Sequence, residues 1–377
     1  MPLFTGRVIE GVPRVQFYAG GPRPPEDDTF SACMTALLQH RGDDIGLGRP
    51  DQTDDEKWHE VHCFFMGMGG SAFKLCFDES LDLASTSLRS GVPSLRASLC
   101  RAADSAGYAA QLIFLKPQGE DASESWSETQ ARKAIEQSLS KGRPVIAAGL
   151  AGPPEFSIIA GAGSGLDELI GWSFFQDDPG FSMGLEKEPN GMFRVSNWFK
   201  DLEVLLFLGE KAGARTPDSY VTGLEAGLSL LQTDSVGGGA NGQAAYQAWC
   251  EFLADSEFWP SGSDAALRRS HTYHWQTAGT LAEDRAWGAV FLDQAAAAWP
   301  SAQEELAAAH RCFMNIHDLV WAVWEFSGPF PSMESGAPRF AEAGRRARVV
   351  PLIRLMAEQD EKAALLIQRA LEKMRAG

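Results

Sequence analysis

The sequence predicts an α+β domain followed by an all-α helical bundle. Before residue 212, short apolar runs typical of strands are mixed with amphipathic helical segments, and two helices precede most of the strands. After Pro217, the apolar residues recur at the three- and four-residue spacing of helices. This order lacks the regular β–α alternation of a doubly wound sheet. Because 377 residues exceed one ordinary core, we place the domains at 1–212 and 213–377.

The first domain opens with a strand-like alternation over residues 14–19. A helix follows, with acidic capping residues from Glu26 to Asp28 before it and Gly42 at its end. A second helix is predicted over 54–66, and the glycines of 67–70 are predicted to form a turn. The remaining peripheral elements are a strand over 72–77, a helix over 93–106, a strand over 109–115, a helix over 127–141 and a strand over 204–209.

The centre of the first domain is a set of three short buried strands over 144–150, 156–161 and 168–175. Each is rich in Val, Ile or Phe and is bounded by Gly, Pro or Asp. Polar and aromatic side chains stand on these strands or at their ends, where a rigid sheet can hold binding groups. We predict a site there that contains Glu155, Phe156, Trp172, Gln176, Asp177 and Asp178.

Composition excludes several classes of function. The formal net charge is -17, which argues against nucleic acid and anionic membrane surfaces as partners. No apolar run reaches the ~18 residues of a membrane span, and the N-terminal residues do not form a signal-peptide pattern. We therefore expect a cytoplasmic protein with no metal or cofactor. The six cysteines are scattered without a Cys-x-x-Cys pair, so we expect free thiols.

Cys33 stands in the first or second turn of the helix that follows the acidic residues. Unpaired backbone N–H groups and the helix dipole favour a thiolate at such a position. Cys33 is therefore a candidate nucleophile, although a buried structural thiol explains the sequence equally well. His59, His62 and Cys63 share the second helix, where they are candidates for acid–base work or metal binding, but no third ligand lies nearby in sequence.

The second domain consists of predicted helices over 220–233, 242–255, 263–298, 302–326 and 349–375. The histidines of two long helices, His271, His274, His310 and His317, lack the Glu-x-x-His pattern of a bundle metal centre. We interpret them as satisfied histidines in an aromatic core, with a polar pocket as the alternative. The last helix is expected to pack on the bundle or on a second copy of the chain, as in a homodimer.

These motifs together resemble the papain-like cysteine peptidases. The resemblance lies in the helix-start Cys33, the strand after Gly142, the run after Pro154 and the motif after Phe175. It is closest to the bacteriocin leader-peptidase branch and to the acyltransferases of butirosin biosynthesis, in which a helical domain follows. It implies a papain-like fold, Cys33 as nucleophile and Gln176, Asp177 or Asp178 as the orienting residue.

The sequence departs from that family at Glu155, which stands where the resemblance requires the catalytic histidine. A carboxylate beside a thiol opposes the thiolate and raises the thiol pKa. Two hypotheses follow. The favoured one is a non-catalytic descendant in which Glu155, Asp177 and Asp178 bind a small amine-bearing or peptidic ligand. The alternative is a cysteine-dependent acyl- or amide-transferring enzyme or peptidase with Cys33, Glu155 and Asp178 in its site.

Overall fold

The computed structural model describes residues 5–15, 26–116, 126–260, 264–328 and 333–376. The chain divides into two compact units. Unit 1 contains Met1–Phe65 and Leu99–Arg215, and unit 2 contains Met66–Ser98 and Thr216–Gly377. The sequence prediction assigned the segment Met66–Ser98 to the first domain, whereas it packs with the helices of unit 2.

Unit 1 contains an eight-stranded sheet in which every strand pair is antiparallel. The strands are β1 (Thr5–Val8), β3 (Tyr108–Phe114), β4 (Val145–Ala148), β5 (Phe156–Ser164), β6 (Glu168–Ser173), β7 (Glu186–Lys187), β8 (Phe193–Ser196) and β9 (Val204–Lys211). The strand order is β3-β9-β4-β5-β6-β8-β7, with β1 paired to the far end of β5. The three central strands predicted from sequence are confirmed as β4, β5 and β6, and they are almost entirely buried.

The helices of unit 1 are α1 (Thr29–Arg41), the start of α2 (Asp54–Gly69), α3 (Leu95–Ser105) and α4 (Glu128–Ser140). Helix α1 packs against strand β5, and the Phe30 and Phe156 rings meet with centroids 5.3 Å apart. Asp28 caps its N-terminus, and Gly42 ends it in the left-handed conformation (φ 65°) that glycine adopts without strain. The predicted capping residues at both ends of this helix are confirmed.

Unit 2 is a helical assembly with one small sheet. Its helices are α5 (Pro217–Gln232), α6 (Gly242–Ala254), α7 (Asp264–Ala298), α8 (Gln303–Ser327), α9 (Met333–Phe340) and α10 (Ala343–Ala376). Strands β2 (Cys76–Phe77), β10 (Ser235–Val236) and β11 (Gly239–Asn241) form a three-stranded sheet in the order β10-β11-β2. The structure therefore has the predicted α+β class, with an antiparallel sheet and a helical C-terminal region.

The predicted glycine turn over 67–70 and the strand over 72–77 are wrong. Helix α2 continues to Gly69, a short 3-10 turn covers Ser71–Phe73, and within 72–77 only Cys76–Phe77 forms a strand. Gly67 is required for packing, because a Cβ atom there would lie 2.3 Å from the ring of Phe291. Tertiary contact, which is invisible in the local pattern, overrides the turn signal.

Other elements differ in their bounds. Residues 16–19 of the predicted first strand lie outside the described residues, and Arg14 and Val15 are not in a strand. Helix α10 begins at Ala343 rather than at 349, and α9 was not predicted. Among the described residues, none of the helices combines the length and apolar character needed to cross a lipid bilayer.

Candidate functional site

The candidate site of unit 1 lies where the start of α1 meets the start of β5. Thr29 joins the two elements: its Oγ1 donates to Glu155 Oε2 (2.7 Å) and accepts from the backbone N–H of Phe156 (3.3 Å). One residue earlier, Asp28 Oδ1 accepts from the backbone N–H of Ser31 (2.7 Å) as the helix cap. The helix thus carries a carboxylate at its first turn and holds a second one from the sheet.

Cys33 lies one turn further along α1 and is completely buried. Burial raises the pKa of its thiol well above the ordinary value, and the nearby charges of Asp28 and Glu155 raise it further. The sequence predicted that the helix start would favour a thiolate at Cys33. The structure reverses that prediction, because loss of hydration and two carboxylates outweigh the helix dipole. Cys33 and Glu155 are brought together as expected, but the thiol stays protonated.

A second set of titratable groups lies at the same end of α1. Glu26 is nine-tenths buried, and its Oε1 lies 3.2 Å from His59 Nδ1 while its Oε2 lies 3.9 Å from His62 Nδ1. The other ring nitrogen of His59, Nε2, lies 3.5 Å from Cys63 Sγ. The i,i+3 and i,i+4 spacing on α2 places both histidines and Cys63 along one face of the helix. His59 therefore links a carboxylate to a thiol.

Asp27 stands between Glu26 and Asp28 in the chain. Burial raises its pKa to about 7, and the charge of Glu26 contributes to the shift. Asp27 is thus the carboxyl group whose protonation changes near neutral pH. The N-terminus of α1 partly offsets the repulsion among these groups, because the positive end of a helix dipole stabilises nearby anions.

We call Glu26, Asp27, Asp28 and Glu155 the acidic site. Sequence reasoning identified only Glu155 as a member and explained the other three as helix caps. One capping carboxylate is sufficient for a helix, and Asp28 alone accepts the capping hydrogen bond seen here. Three consecutive acids before α1 were therefore the signal that two of them have another role.

Three further residues of the predicted site, Gln176, Asp178 and Trp172, bind backbone groups. Gln176 is buried, accepts from the Ser173 N–H (3.1 Å) and donates to the Gly191 carbonyl (2.8 Å). Asp178 accepts from the Gly180 N–H within its own turn. Trp172 Nε1 donates to the Val12 carbonyl (3.0 Å). These residues hold the turn after β6 together.

Asp177 lies in two ion pairs, with Arg14 and with Lys187. The hydrogen bond from Lys187 lowers the pKa of Asp177, and the charge of Arg14 adds to this effect. A carboxylate with two cationic neighbours is a weak receptor for a third cation. Asp177 therefore contributes less to the binding of an amine than the sequence suggested.

Of the four histidines singled out in unit 2, His271 and His274 are buried, whereas His310 and His317 are partly exposed and do not belong to the core. Trp249 Nε1 donates to His274 Nδ1 (2.9 Å), so His274 Nε2 carries the proton and donates to Ser327 Oγ (2.7 Å). Burial, with the charge of His271, lowers the pKa of His274 to about 3. His271 Nε2 donates to the Ser327 carbonyl (2.8 Å). Both rings stay neutral and tie α7 to the end of α8, as expected for core histidines.

Within the described ranges, no group of three or more His, Cys, Asp or Glu side chains has an arrangement that would hold a metal ion. The chain matches no protein-family model, and no curated protein is significantly similar to it.

Proposed function

We propose that this chain has a papain-like fold in unit 1, lacks the cysteine chemistry of that family and binds a small amine-bearing ligand at the acidic site. The observation that carries the proposal is the convergence of four carboxyl groups at the start of α1, with the Asp27 pKa raised to about 7. Burial is the main cause of this raised pKa and the charge of Glu26 adds to it. A bound ammonium group would favour the ionised carboxylate against both.

Two features support the papain-like assignment. Helix α1 carries Cys33 in its second turn and packs on an antiparallel sheet, as the resemblance requires. Glu155 precedes strand β5, at the position of the family's catalytic base. With a carboxylate in that position, the fold would lose its imidazole and retain a cleft with anionic groups.

An amine suits this site better than a metal ion. Glu155 and Asp28 already accept short hydrogen bonds from Thr29 and Ser31, which orient their carboxylates along the helix start. An ammonium group has three donors and tolerates varied geometry, whereas divalent cations need several oxygens at fixed distances. Spermidine and putrescine are suitable probes, since they present primary ammonium groups on a flexible chain.

Calorimetric titration with spermidine in 0.15 M salt at pH 8 tests the proposal. We expect saturable binding that weakens by about tenfold or more in the double variant Asp27→Asn, Glu155→Gln, because two carboxylates are removed. The control is Asp51→Asn, Asp104→Asn, which removes the same charge from two exposed positions of unit 1. An equal loss of affinity in both variants would show only general attraction to an acidic protein.

The alternative, a cysteine-dependent acyl- or amide-transferring enzyme, is tested by alkylation. The raised pKa and complete burial of Cys33 predict no iodoacetamide modification of the native protein at pH 7 and rapid modification after denaturation. Peptide mapping by mass spectrometry reads out each cysteine, with the partly exposed Cys100 and Cys250 as internal references. Selective modification of Cys33 at neutral pH would restore the enzyme hypothesis.

A further inference from the structure

A second candidate site lies in unit 1, on the face of the sheet beside α4. A cavity of about 530 Å³ is enclosed by strand β3, strand β9, helix α4 and the start of the segment that leads into β4. This volume is within the range of small-molecule sites. We call it the α4 groove.

The floor of the α4 groove is formed by the sheet strands β3 and β9. Strands β3 and β9 are neighbours at the edge of the sheet, and Gln111 pairs with Phe207. Near them, Gly209 leaves no room for a side chain, since a Cβ atom there would lie 3.0 Å from the Ala109 carbonyl oxygen. Ala109, Gly209 and the Phe207 ring thus provide a mainly apolar surface on which a flat group can lie.

The wall of the α4 groove is one face of helix α4. The helix buries Ala131, Ile135 and Leu139 in the core of unit 1. A different face, with Lys133, Gln137 and, after the last turn, Lys141, lines the groove. Eight residues separate the two lysines, which corresponds to ~12 Å along a helix. Because both side chains are long and flexible, their ammonium groups can approach one anionic group from two sides.

The charge of the α4 groove is opposite to that of the chain. Among the described residues that line it are three cations, Lys133, Lys141 and Arg143, and no Asp or Glu. The whole chain has 50 acidic and 33 basic residues. Arg143 pairs with Glu210, which lies outside the lining, and no ion pair is found for Lys133 or Lys141 among the described residues. A positively charged cavity in an otherwise acidic protein attracts small anions.

The remaining lining adds aromatic and amide groups. Trp126 stands at the N-terminal end of α4, and Gln111, Gln130 and Gln137 are among the lining residues, although the Gln130 amide oxygen accepts from Ser127 in the helix cap. Aromatic rings stack on planar ligands with ~1–3 kcal/mol per base, and amides hydrogen-bond the edges of heterocycles. We propose that the α4 groove binds a small aromatic phosphate of the nucleoside phosphate class, with the phosphate between Lys133 and Lys141 and the ring over Ala109 and Phe207.

Titration calorimetry of the full chain with three probes tests this proposal. ATP carries ring and phosphates, adenosine carries the ring alone, and tripolyphosphate carries the anion alone. In EDTA and 0.15 M salt we expect saturable binding of ATP that is at least tenfold tighter than that of either fragment. No saturable binding of ATP, or equal affinity for tripolyphosphate, would overturn the proposal.

Variants then place the binding in the groove. Lys133→Glu, Lys141→Glu should weaken ATP binding by at least tenfold, while Lys116→Glu, Lys200→Glu, the same charge change at two exposed lysines outside the lining, should leave it within twofold. Ala109→Leu fills the floor without a charge change and should weaken ATP binding several-fold. If the groove pair and the control pair lose affinity equally, or if Ala109→Leu has no effect, ATP does not bind in the groove. Circular dichroism confirms that each variant is folded.

Discussion

Two clusters of charged groups in the described part of the molecule are built in opposite ways. In unit 2, the guanidinium of Arg285 is fully buried and donates to both oxygens of Asp360 (2.8 and 2.6 Å). It also donates to the carbonyls of Ala72 (2.9 Å) and Lys74 (3.1 Å). Asp360 accepts a further hydrogen bond from the Tyr246 hydroxyl (2.7 Å). This ion-pair network contains charges of both signs.

The network of unit 2 has a structural role. Although burial alone lowers the pKa of Arg285, the charge and hydrogen bonds of Asp360 raise it above its ordinary value. Lys74 extends the same arrangement, because its Nζ donates to Asp284 (2.8 Å) and to the Thr86 carbonyl (2.6 Å). These contacts fasten the segment Met66–Ser98 to helices α7 and α10. They explain why this segment belongs to unit 2.

In unit 1, the acidic site brings four carboxyl groups together. Their contacts include the Thr29 hydroxyl, the Ser31 N–H and His59, and the pKa of Asp27 is raised rather than lowered. A network of opposite charges holds elements together, whereas a cluster of like charges is stabilised when a cation binds. The balance of charge, more than the degree of burial, therefore distinguishes a structural cluster from a candidate binding site.

The largest expected effect on stability comes from breaking the ion-pair network of unit 2. Asp360→Ala leaves the buried Arg285 charge without its carboxylate, so we expect a loss of about 3–5 kcal/mol in the free energy of unfolding. Urea denaturation monitored by circular dichroism measures it. Glu358→Gln, at an exposed position of the same helix, is the control and should change stability by less than ~0.5 kcal/mol. A change below 1 kcal/mol for Asp360→Ala would contradict the structural role of the network.

The next expected effect is a gain in stability, from removing the Asp27 carboxylate in the acidic site. The pKa of Asp27 is about 7 in the folded chain and 3.8 for an unperturbed group, so the folded state binds more protons between these values. Stability therefore falls as the pH rises from about 4 to 7, and the loss is complete above the folded pKa. Asp27→Asn should add about 2 kcal/mol at pH 8, since partial access of solvent reduces the full linkage value.

Urea denaturation of the Asp27→Asn variant at pH 5 and pH 8 provides the measurement. The gain should be clearly larger at pH 8, where the wild-type carboxylate is ionised in the folded state. Equal changes at both pH values would show that the substitution acts through packing or hydrogen bonding. The wild-type chain at the same two pH values is the reference.

A smaller effect is expected from the hydroxyl that joins α1 to β5. Thr29→Val keeps the shape of the side chain but removes the donor to Glu155 and the acceptor for the Phe156 N–H. We expect a loss of about 1 kcal/mol and weaker binding of spermidine, because Glu155 loses its orienting partner. Thr129→Val, at an exposed position of α4, is the matched control. Unchanged stability and affinity would show that Thr29 does not support the site.

Local patterns predicted the parts of the fold that depend on local chemistry. The caps of α1 and the apolar runs of β4, β5 and β6 were read correctly, because capping and strand burial leave signals within a few residues. The packing of Gly67 on Phe291 and the assignment of Met66–Ser98 to unit 2 were not predicted. Both depend on partners more than 100 residues away, and a single sequence does not show which distant residues meet.

The candidate site, too, could be predicted from the sequence only in part. The proximity of Cys33 and Glu155 was expected, since the resemblance implied a shared location. The complete burial of Cys33 and the participation of Glu26 and Asp27 were not, because burial is decided by the packing of α1 against the sheet. The pKa of a thiol follows that environment, so its helix position alone gave the wrong direction.

The most direct test of the acidic site is the titration of Asp27 itself. Carbon-13 NMR of a chain labelled at the aspartate carboxyl carbons, assigned by comparison with Asp27→Asn, measures this pKa with and without saturating spermidine. We predict a pKa of about 7 for the free protein and a clearly lower value with the amine bound. A value near 4 in the free protein, or a raised value that spermidine leaves unchanged, would contradict the assignment of this cluster as an amine-binding site.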